Sequence, residues 1–236
     1  MHCSLHHYLY NHDSMNELVD RLLTRAPNGN RFMLGIIGYP GSGKSTLAQR
    51  LVENINRRFE RQPPAVLLPM DGFHLQNDEL ERRQLLSWKG IPETFDGQGF
   101  VALVKKLRQH PDKQASAPLF DRSKEASIPG AISIEPAHQL LIIEGNYLLY
   151  EKPPWNEIAG ILDETWFLDC ELETIKERLL QRHIQCGRSP QQAEAKMRST
   201  DLPNADLIER TRKRAAFIVS ADCTGYRFAE AMRESP

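Results

Sequence analysis

Gly38-Tyr39-Pro40-Gly41-Ser42-Gly43-Lys44-Ser45-Thr46 follows directly on the apolar run Phe32-Met33-Leu34-Gly35-Ile36-Ile37. The segment fills the pattern G-x-x-x-x-G-K-[ST], and Leu47, Ala48, Leu51, Val52, Ile55 and Phe59 then recur at helical spacing. A Gly-rich turn matching by chance has no need of a buried strand before it and an amphipathic helix after it. In that setting the glycines let backbone N–H groups wrap an anion, and the helix N-terminus adds a positive dipole. Lys44 is placed to reach β and γ phosphates, and Ser45 to hold Mg²⁺. The stretch therefore predicts a phosphate site built from Gly38, Pro40, Gly41, Ser42, Gly43, Lys44, Ser45 and Thr46, with ATP and Mg²⁺ as the expected ligands.

Outward from this loop, continuous apolar strands alternate with helices. Strands are predicted at 65–70, 139–143, 165–169 and 216–219, and helices at 14–25 and 172–186. The pattern predicts an α/β P-loop NTPase fold, a five-stranded parallel sheet with helices on both faces and a helical lid. Residues 1–30 read as a tail and short helix, 31–220 as the catalytic domain, and 221–236 as a C-terminal segment. Within the domain, 75–138 is a long insertion suited to substrate specificity, and about 176–203 is the lid. Pro27-Asn28-Gly29-Asn30 breaks the chain before the first strand.

The 236 residues suffice for one substantial core, and the net charge of −1 supplies no field for a nucleic-acid backbone. No apolar run approaches the roughly 20 residues of a membrane span. A cytoplasmic protein is expected, with Cys3, Cys170, Cys186 and Cys223 as free thiols, and His2, His6, His7 and His12 in a solvated tail. The periodicity leaves open a homo-oligomer, the choice of phosphate donor, and whether Met1 or Met15 starts the chain.

In open parallel sheets ligands sit beyond the carboxyl ends of the strands. Asp71 and Glu144 end the second and third strands there. Phosphoryl transfer to an alcohol needs one group at the hydroxyl proton and another at the metal or its waters, and Asp71 and Glu144 are assigned to these in turn. Either carboxylate could instead cap the following turn. After the fourth strand, Lys176, Arg178, Arg182, His183 and Arg188 form a basic cluster whose arginines can close over phosphates, Arg182 foremost; a solvated face paired with Glu171, Glu173 and Glu177 is the plainer reading. Arg122 sits in the insertion, equally suited to substrate or to a surface ion pair. Trp88, Phe95, Tyr147 and Trp155 are candidates for an acceptor pocket or for core.

Several segments together resemble the family of uridine kinases, phosphoribulokinase and bacterial type I pantothenate kinase. Met70-Asp71-Gly72-Phe73 is similar to its Asp-Gly-Phe or Asp-Ser-Phe segment, Lys89-Gly90-Ile91-Pro92-Glu93-Thr94-Phe95-Asp96 to the Lys-Gly-x-Pro-Glu-Ser-Tyr-Asp of pantothenate kinases, Glu144-Gly145 to a shared strand end, and Arg182-His183-Ile184 with Gly187-Arg188 to the Arg-Asp-Ile lid of uridine kinases. Pro69-Met70-Asp71-Gly72-Phe73-His74, Phe120-Asp121-Arg122 and Asp201-Leu202-Pro203-Asn204 resemble a branch described as nucleoside kinase-like or fructose-transport-associated. The resemblance spans roughly 31–220. It implies a nucleoside-kinase-like fold and ATP-dependent phosphorylation of a small-molecule hydroxyl, on a nucleoside, a sugar or a pantothenate-like compound. Lys44, Asp71, Glu144 and Arg182 would be catalytic; Arg178 and Arg188 would join the loop on the nucleotide; Asp71, His74, Arg122 and Tyr147 would meet the acceptor; Ser45 and Glu144 would hold metal. His74 stands where uridine kinases place a tyrosine, so the implied reaction carries over and the nucleoside does not. The competing expectation is a regulatory P-loop ATPase without an acceptor, read by a protein partner. A nucleic-acid substrate ranks last for want of positive charge.

Overall fold

The computed structural model describes residues 12–25, 30–59, 61–222 and 225–229. The expectations for His2, His6, His7, Cys3, Cys223, the start at Met1 and the break at 27–29 fall outside those residues.

The elements run α1 (His12–Arg25), β1 (Phe32–Gly38), α2 (Lys44–Arg57), β2 (Ala65–Pro69), α3 (Asn77–Arg82), α4 (Gly97–Gln109), β3 (Ala115–Asp121), β4 (Ala126–Ile134), β5 (Leu140–Glu144), β6 (Glu164–Asp169), α5 (Leu172–Gln185), α6 (Pro190–Lys196), a π-helical turn (Met197–Asp201), α7 (Leu202–Glu209), β7 (Phe217–Asp222) and β8 (Gly225–Ala229). The main sheet has the order β2-β5-β1-β6-β7-β8. Its first five strands are parallel and β8 is antiparallel to β7. The expected five-stranded parallel sheet is present, and the C-terminal segment, expected to lie apart, adds a sixth strand to it.

Alternation along the strands divides the core in two. Met33 and Ile37 of β1, with Leu141, Ile143 and Phe167, face α4 through Phe100, Val101, Val104 and Leu107. Phe32, Leu34 and Ile36, with Leu140, Ile142, Trp166 and Leu168, face α1 and α2. Helices thus cover both faces, as buried parallel strands require. On α1, Met15, Leu18, Val19 and Leu22 are buried, at roughly 1.5–3 kcal/mol for each such side chain. Arg21 of α1 donates to Glu164 of β6 at 2.9 and 3.0 Å, and Trp166 Nε1 donates to the same carboxylate at 2.6 Å. The short helix before residue 31 is therefore part of the core. Phe59, predicted on the inner stripe of α2, falls beyond the helix end at Arg57 and is 42 % exposed.

Arg31 joins the insertion to the sheet. Its buried guanidinium donates to the carbonyls of His138, Leu107, Lys113 and Glu135 at 2.9–3.5 Å. One of these, Leu107, lies in the last turn of α4, where carbonyls lack helical partners.

The insertion is itself structured. It holds α3, α4 and the antiparallel β3–β4 hairpin, whose register shifts between Ala117 and Leu119. At that irregularity the Pro118 carbonyl lies against Gly72, where an added Cβ would sit 2.1 Å from the oxygen. Absence of a side chain at Gly72 thus lets the hairpin close down beside Asp71.

Candidate active site

The register of the sheet brings the chemistry to one edge. Glu144 pairs with Ile36 of β1 on one side and Pro69 of β2 on the other, so the phosphate loop, Glu144 and Asp71 emerge from adjacent strand ends. The loop needs its glycines for two reasons. Gly41 and Gly43 have φ of 81° and 96°, a region side chains disfavour, and a Cβ on Gly41 would meet Leu179 of α5 at 3.0 Å. Gly43 leads into α2, whose first residues are Lys44 and Ser45.

Ser45 Oγ donates to Glu144 Oε1 at 3.1 Å, bringing both predicted metal-holding oxygens together. Lys44 is buried, its Nζ 3.5 Å from the Tyr39 carbonyl. Burial lowers its pKa against the opposing pull of Glu144 and Asp71. Ser42 Oγ is buried and has no hydrogen-bond partner among the described residues. An unsatisfied hydroxyl inside a loop of backbone donors fits a polar ligand that completes the cradle.

The two carboxylates are driven apart. Burial, opposed by Lys44 and reinforced by Asp71, pushes Glu144 up to about 7. Burial also acts to raise Asp71, but the charges of His74, Lys44, Arg122 and Arg182 outweigh it and leave this carboxyl below its ordinary range. Burial pushes His74 itself down, so near neutral pH the pull on Asp71 comes from Lys44, Arg122 and Arg182. Arg122 Nη2 lies 3.3 Å from Asp71 Oδ2.

His74 follows Asp71 in a tight turn, with both its backbone N–H and its Nδ1 directed at the Asp71 carbonyl, at 3.1 and 2.9 Å. Because a carbonyl only accepts, Nδ1 carries the proton and Nε2 keeps its lone pair. The ring stacks between Phe95 and Phe120, centroids 4.0 and 4.7 Å away.

The lid lies over the loop. Arg178 Nη1 donates to the Ser42 carbonyl at 3.0 Å. Arg182 Nη2 is 3.6 Å from Asp201 Oδ1, while His183 Nε2 donates to Asp201 Oδ2 at 2.7 Å and Arg188 Nη1 approaches His183 Nδ1 at 3.3 Å. Asp201, in the π-helical turn, therefore positions the two lid residues that precede the Gly187-Arg188 turn. Arg188 Nη2 reaches Glu125 of the insertion at 3.7 Å. These contacts are with the insertion and His183, and Arg188 lines the same cleft as the phosphate loop. Lys176 pairs with Glu173 on the outer face of α5, the plainer reading of that residue.

Loop, strand ends, insertion and lid enclose a cleft of about 1250 Å³, lined among others by Lys44, Asp71, His74, Arg122, Arg178, Arg182 and Arg188. Tyr147, predicted to meet the acceptor, does not line it. The side chain is fully buried and its hydroxyl donates to the Gly90 carbonyl at 2.5 Å. Its neighbour Asn146 lines the cleft instead, with a buried Oδ1 that has no partner among the described residues. Trp155 is core, and Trp88 is 46 % exposed.

Against known proteins, residues 34–198 match the family described as AAA domain. The chain is 34% identical over 203 residues to a provisionally named uridine kinase of Schizosaccharomyces pombe, covering 84% of this chain and 86% of that one. The chain belongs to this P-loop kinase family. A second member, the uncharacterized protein YggC of Escherichia coli, is 34% identical over 208 residues, covering 88% and 85% of the two chains. Among solved structures, a provisionally named fructose transport system kinase from Silicibacter sp. TM1040 superposes with a TM-score of 0.74 at 38% identity, covering 83% of this chain and 94% of that one. The P-loop kinase fold, with its mostly parallel sheet, is thus shared with proteins of the uridine kinase, phosphoribulokinase and pantothenate kinase kind.

Proposed function

We propose that this P-loop kinase transfers the γ-phosphoryl group of ATP to a hydroxyl of a small metabolite, such as a nucleoside, a sugar or a pantothenate-like compound. The observation that carries the reading is that Lys44, Asp71, Arg122 and Arg182 act on one another in a cleft that His74, Phe95 and Phe120 also line. A regulatory ATPase needs no such acceptor chamber.

Lys44 and the loop N–H groups hold the β and γ phosphates. Asp71, ionised at neutral pH by its cationic neighbours, accepts a hydrogen bond from the acceptor hydroxyl and takes its proton as the new bond forms. Arg182, held by Asp201, and Arg122, held by Asp71, supply positive charge where the equatorial oxygens gain negative charge in the transition state. Ser45 and Glu144 present paired oxygens suited to Mg²⁺, which when bound neutralises phosphate charge and orients the chain for transfer. Closure of α5 and α6 over the loop excludes water, so that the acceptor and not solvent receives the phosphoryl group.

The test is ATP turnover by the purified protein against nucleosides, sugars and pantothenate, with Lys44→Ala as the blank. One acceptor should raise ADP formation well above hydrolysis and appear phosphorylated. Steady hydrolysis that no acceptor stimulates would move the assignment to the regulatory ATPase.

A further inference from the structure

We propose that the acceptor alcohol carries an anionic group, a phosphate or a carboxylate, bound at the end of the cleft away from Asp71 by Lys89, Arg188 and Lys196. This rests on the kinase reading above and narrows its substrate class.

The cations of the cleft fall into two electrostatic groups. Lys44, Arg122 and Arg182 act on one another together with Asp71 and Glu144, at the reacting end. Lys196 instead feels Asp201, Arg188, Glu125 and Lys89. The two groups are joined through His74, whose Nδ1 meets the Asp71 carbonyl at 2.9 Å. Phe120 spans the same boundary: it stacks on His74 at 4.7 Å and carries the Lys89 ammonium 5.0 Å over its ring. An alcohol with its hydroxyl at Asp71 would lie along His74 and Phe120 and reach the second group with its other end.

That second group has surplus positive charge. Lys89 Nζ donates to Asn77 Oδ1 and the Glu125 carbonyl, both at 2.7 Å. Lys196 Nζ donates to the carbonyls of Ser87 and Lys89 at 2.9 and 3.0 Å. These oxygens are neutral, so they orient each ammonium without cancelling its charge. Each ammonium has three N–H groups, and these contacts use two. Of the carboxylates nearby, Asp201 is shared among Lys196, Arg182 and His183. Glu125 remains, half exposed and 3.7 Å from Arg188, a weak partner for three cations. All three cations line the cleft and are partly buried there. Charge held in a partly desolvated chamber without a matching counterion favours an anionic ligand.

The test loads the full chain with Mg²⁺ and a non-hydrolysable ATP analogue, so that the phosphate loop and γ position are filled, and replaces chloride with sulfate at constant ionic strength. Sulfate should raise the thermal midpoint saturably in the wild type. Arg188→Gln and Lys196→Gln, each confirmed folded by its own midpoint in chloride, should weaken that response at least tenfold in sulfate concentration. In turnover, the anionic member of matched pairs such as ribose 5-phosphate and ribose, or glycerate and glycerol, should show at least tenfold higher kcat/KM, and Arg188→Gln should remove that preference through KM. No saturable sulfate response, a response that both variants retain, or neutral alcohols turned over as well as their anionic counterparts would overturn this inference and leave the kinase standing. Failure of the protein to bind the analogue would instead remove the kinase reading, and this inference with it.

Discussion

Replacing Gly72 by alanine is expected to disable the site without touching a charged group. An added Cβ would lie 2.1 Å from the Pro118 oxygen and 2.7 Å from its carbonyl carbon, both backbone atoms of β3. Restoring even a tight contact of about 3.2 Å requires a relative shift of about 1 Å between the Asp71 turn and the hairpin. Neither can move harmlessly, because the turn carries Asp71 and His74 while the hairpin carries Phe120 and leads to Arg122. A misplacement of about 1 Å at reacting groups lowers turnover by about 100-fold. Overpacking of this kind destabilises by about 1–3 kcal/mol, which for a chain of this size lowers the melting midpoint by roughly 2–10 °C. Nucleotide affinity should remain, since the phosphate loop hangs on different strands. The measurement is turnover with the acceptor identified by the panel, a nucleotide titration and a melting curve, beside Gly160→Ala, whose Cβ would meet nothing nearer than 3.9 Å. Turnover within twofold of wild type together with an unchanged midpoint would refute the argument that the close approach at Pro118 positions Asp71.

Asp71→Asn should lower turnover by about 10²–10⁴-fold while nucleotide affinity stays within twofold, the range expected for losing a general base; unchanged turnover in steady-state assays would remove Asp71 from proton transfer. Arg31→Met strips four backbone carbonyls of their shared donor, and at about 1–3 kcal/mol for each buried group left unsatisfied the variant should melt well below wild type, whereas a midpoint within 1 °C of wild type, a margin of about 0.25–0.5 kcal/mol at this chain length, would show that water replaces the guanidinium. The carboxylate form of Glu144 is the one suited to metal, and burial holds its pKa at about 7, so at subsaturating Mg²⁺ turnover should rise as pH rises through about 7. Saturating Mg²⁺ competes with the proton and should move that limb to lower pH; a limb that ignores Mg²⁺ would assign the titration to another group. Since the folded chain binds this proton more tightly than the unfolded one, metal-free stability should fall as pH climbs from the ordinary carboxylate range toward 7, and Glu144→Gln should lose that slope.

The parts of the molecule that were legible beforehand are those whose signal is local. The strand before the phosphate loop, the helix after it and three other parallel strands lie within a residue or two of their predicted positions, because buried strands leave continuous apolar runs, while β7 runs three residues past its predicted end. The β3–β4 hairpin was not legible. Ala126–Ile134 is mostly polar or small and largely exposed, and what fixes it is pairing with β3 and the meeting of Pro118 with Gly72, neither of which has a periodicity. β8 was missed for the same reason: an edge strand of five residues is specified by its neighbour. In the site, Lys44, Ser45, Glu144, Asp71, Arg178 and Arg182 were named from the phosphate-loop pattern, from positions after strands or from one helix face, Arg122 from its place in the insertion and His74 from the resemblance to uridine kinases. Tyr147 was named by its place after Glu144-Gly145, but the strand end that aims Asn146 at the cleft turns the next residue into the core. Lys89, Asp201 and Asn204 lay in quoted motifs without an assigned task, since what each holds is far away in sequence: Asp201 positions Arg182 and His183, and Asn204 donates to the Gly90 carbonyl at 2.9 Å.

Under the proposed function, those distant contacts would let one scaffold keep its reaction and vary its acceptor. Lys44, Ser45, Glu144 and Asp71 follow strand ends whose register the sheet fixes and have little freedom, whereas Arg122 and Arg182 come from the insertion and the lid. On the proposed acceptor side, residues 87–90 collect polar contacts from three segments: Lys196 of the lid on Ser87 and Lys89, Asn204 of α7 and Tyr147 of the core on Gly90. Gly90 takes both of its donors at a φ of 117°, which a side chain would disfavour. The lid therefore meets the insertion at those residues through Lys196. Under the proposed function, substitutions there should alter which alcohol is held without disturbing the sheet, whereas a change at the phosphate loop or at Glu144 has no comparable freedom.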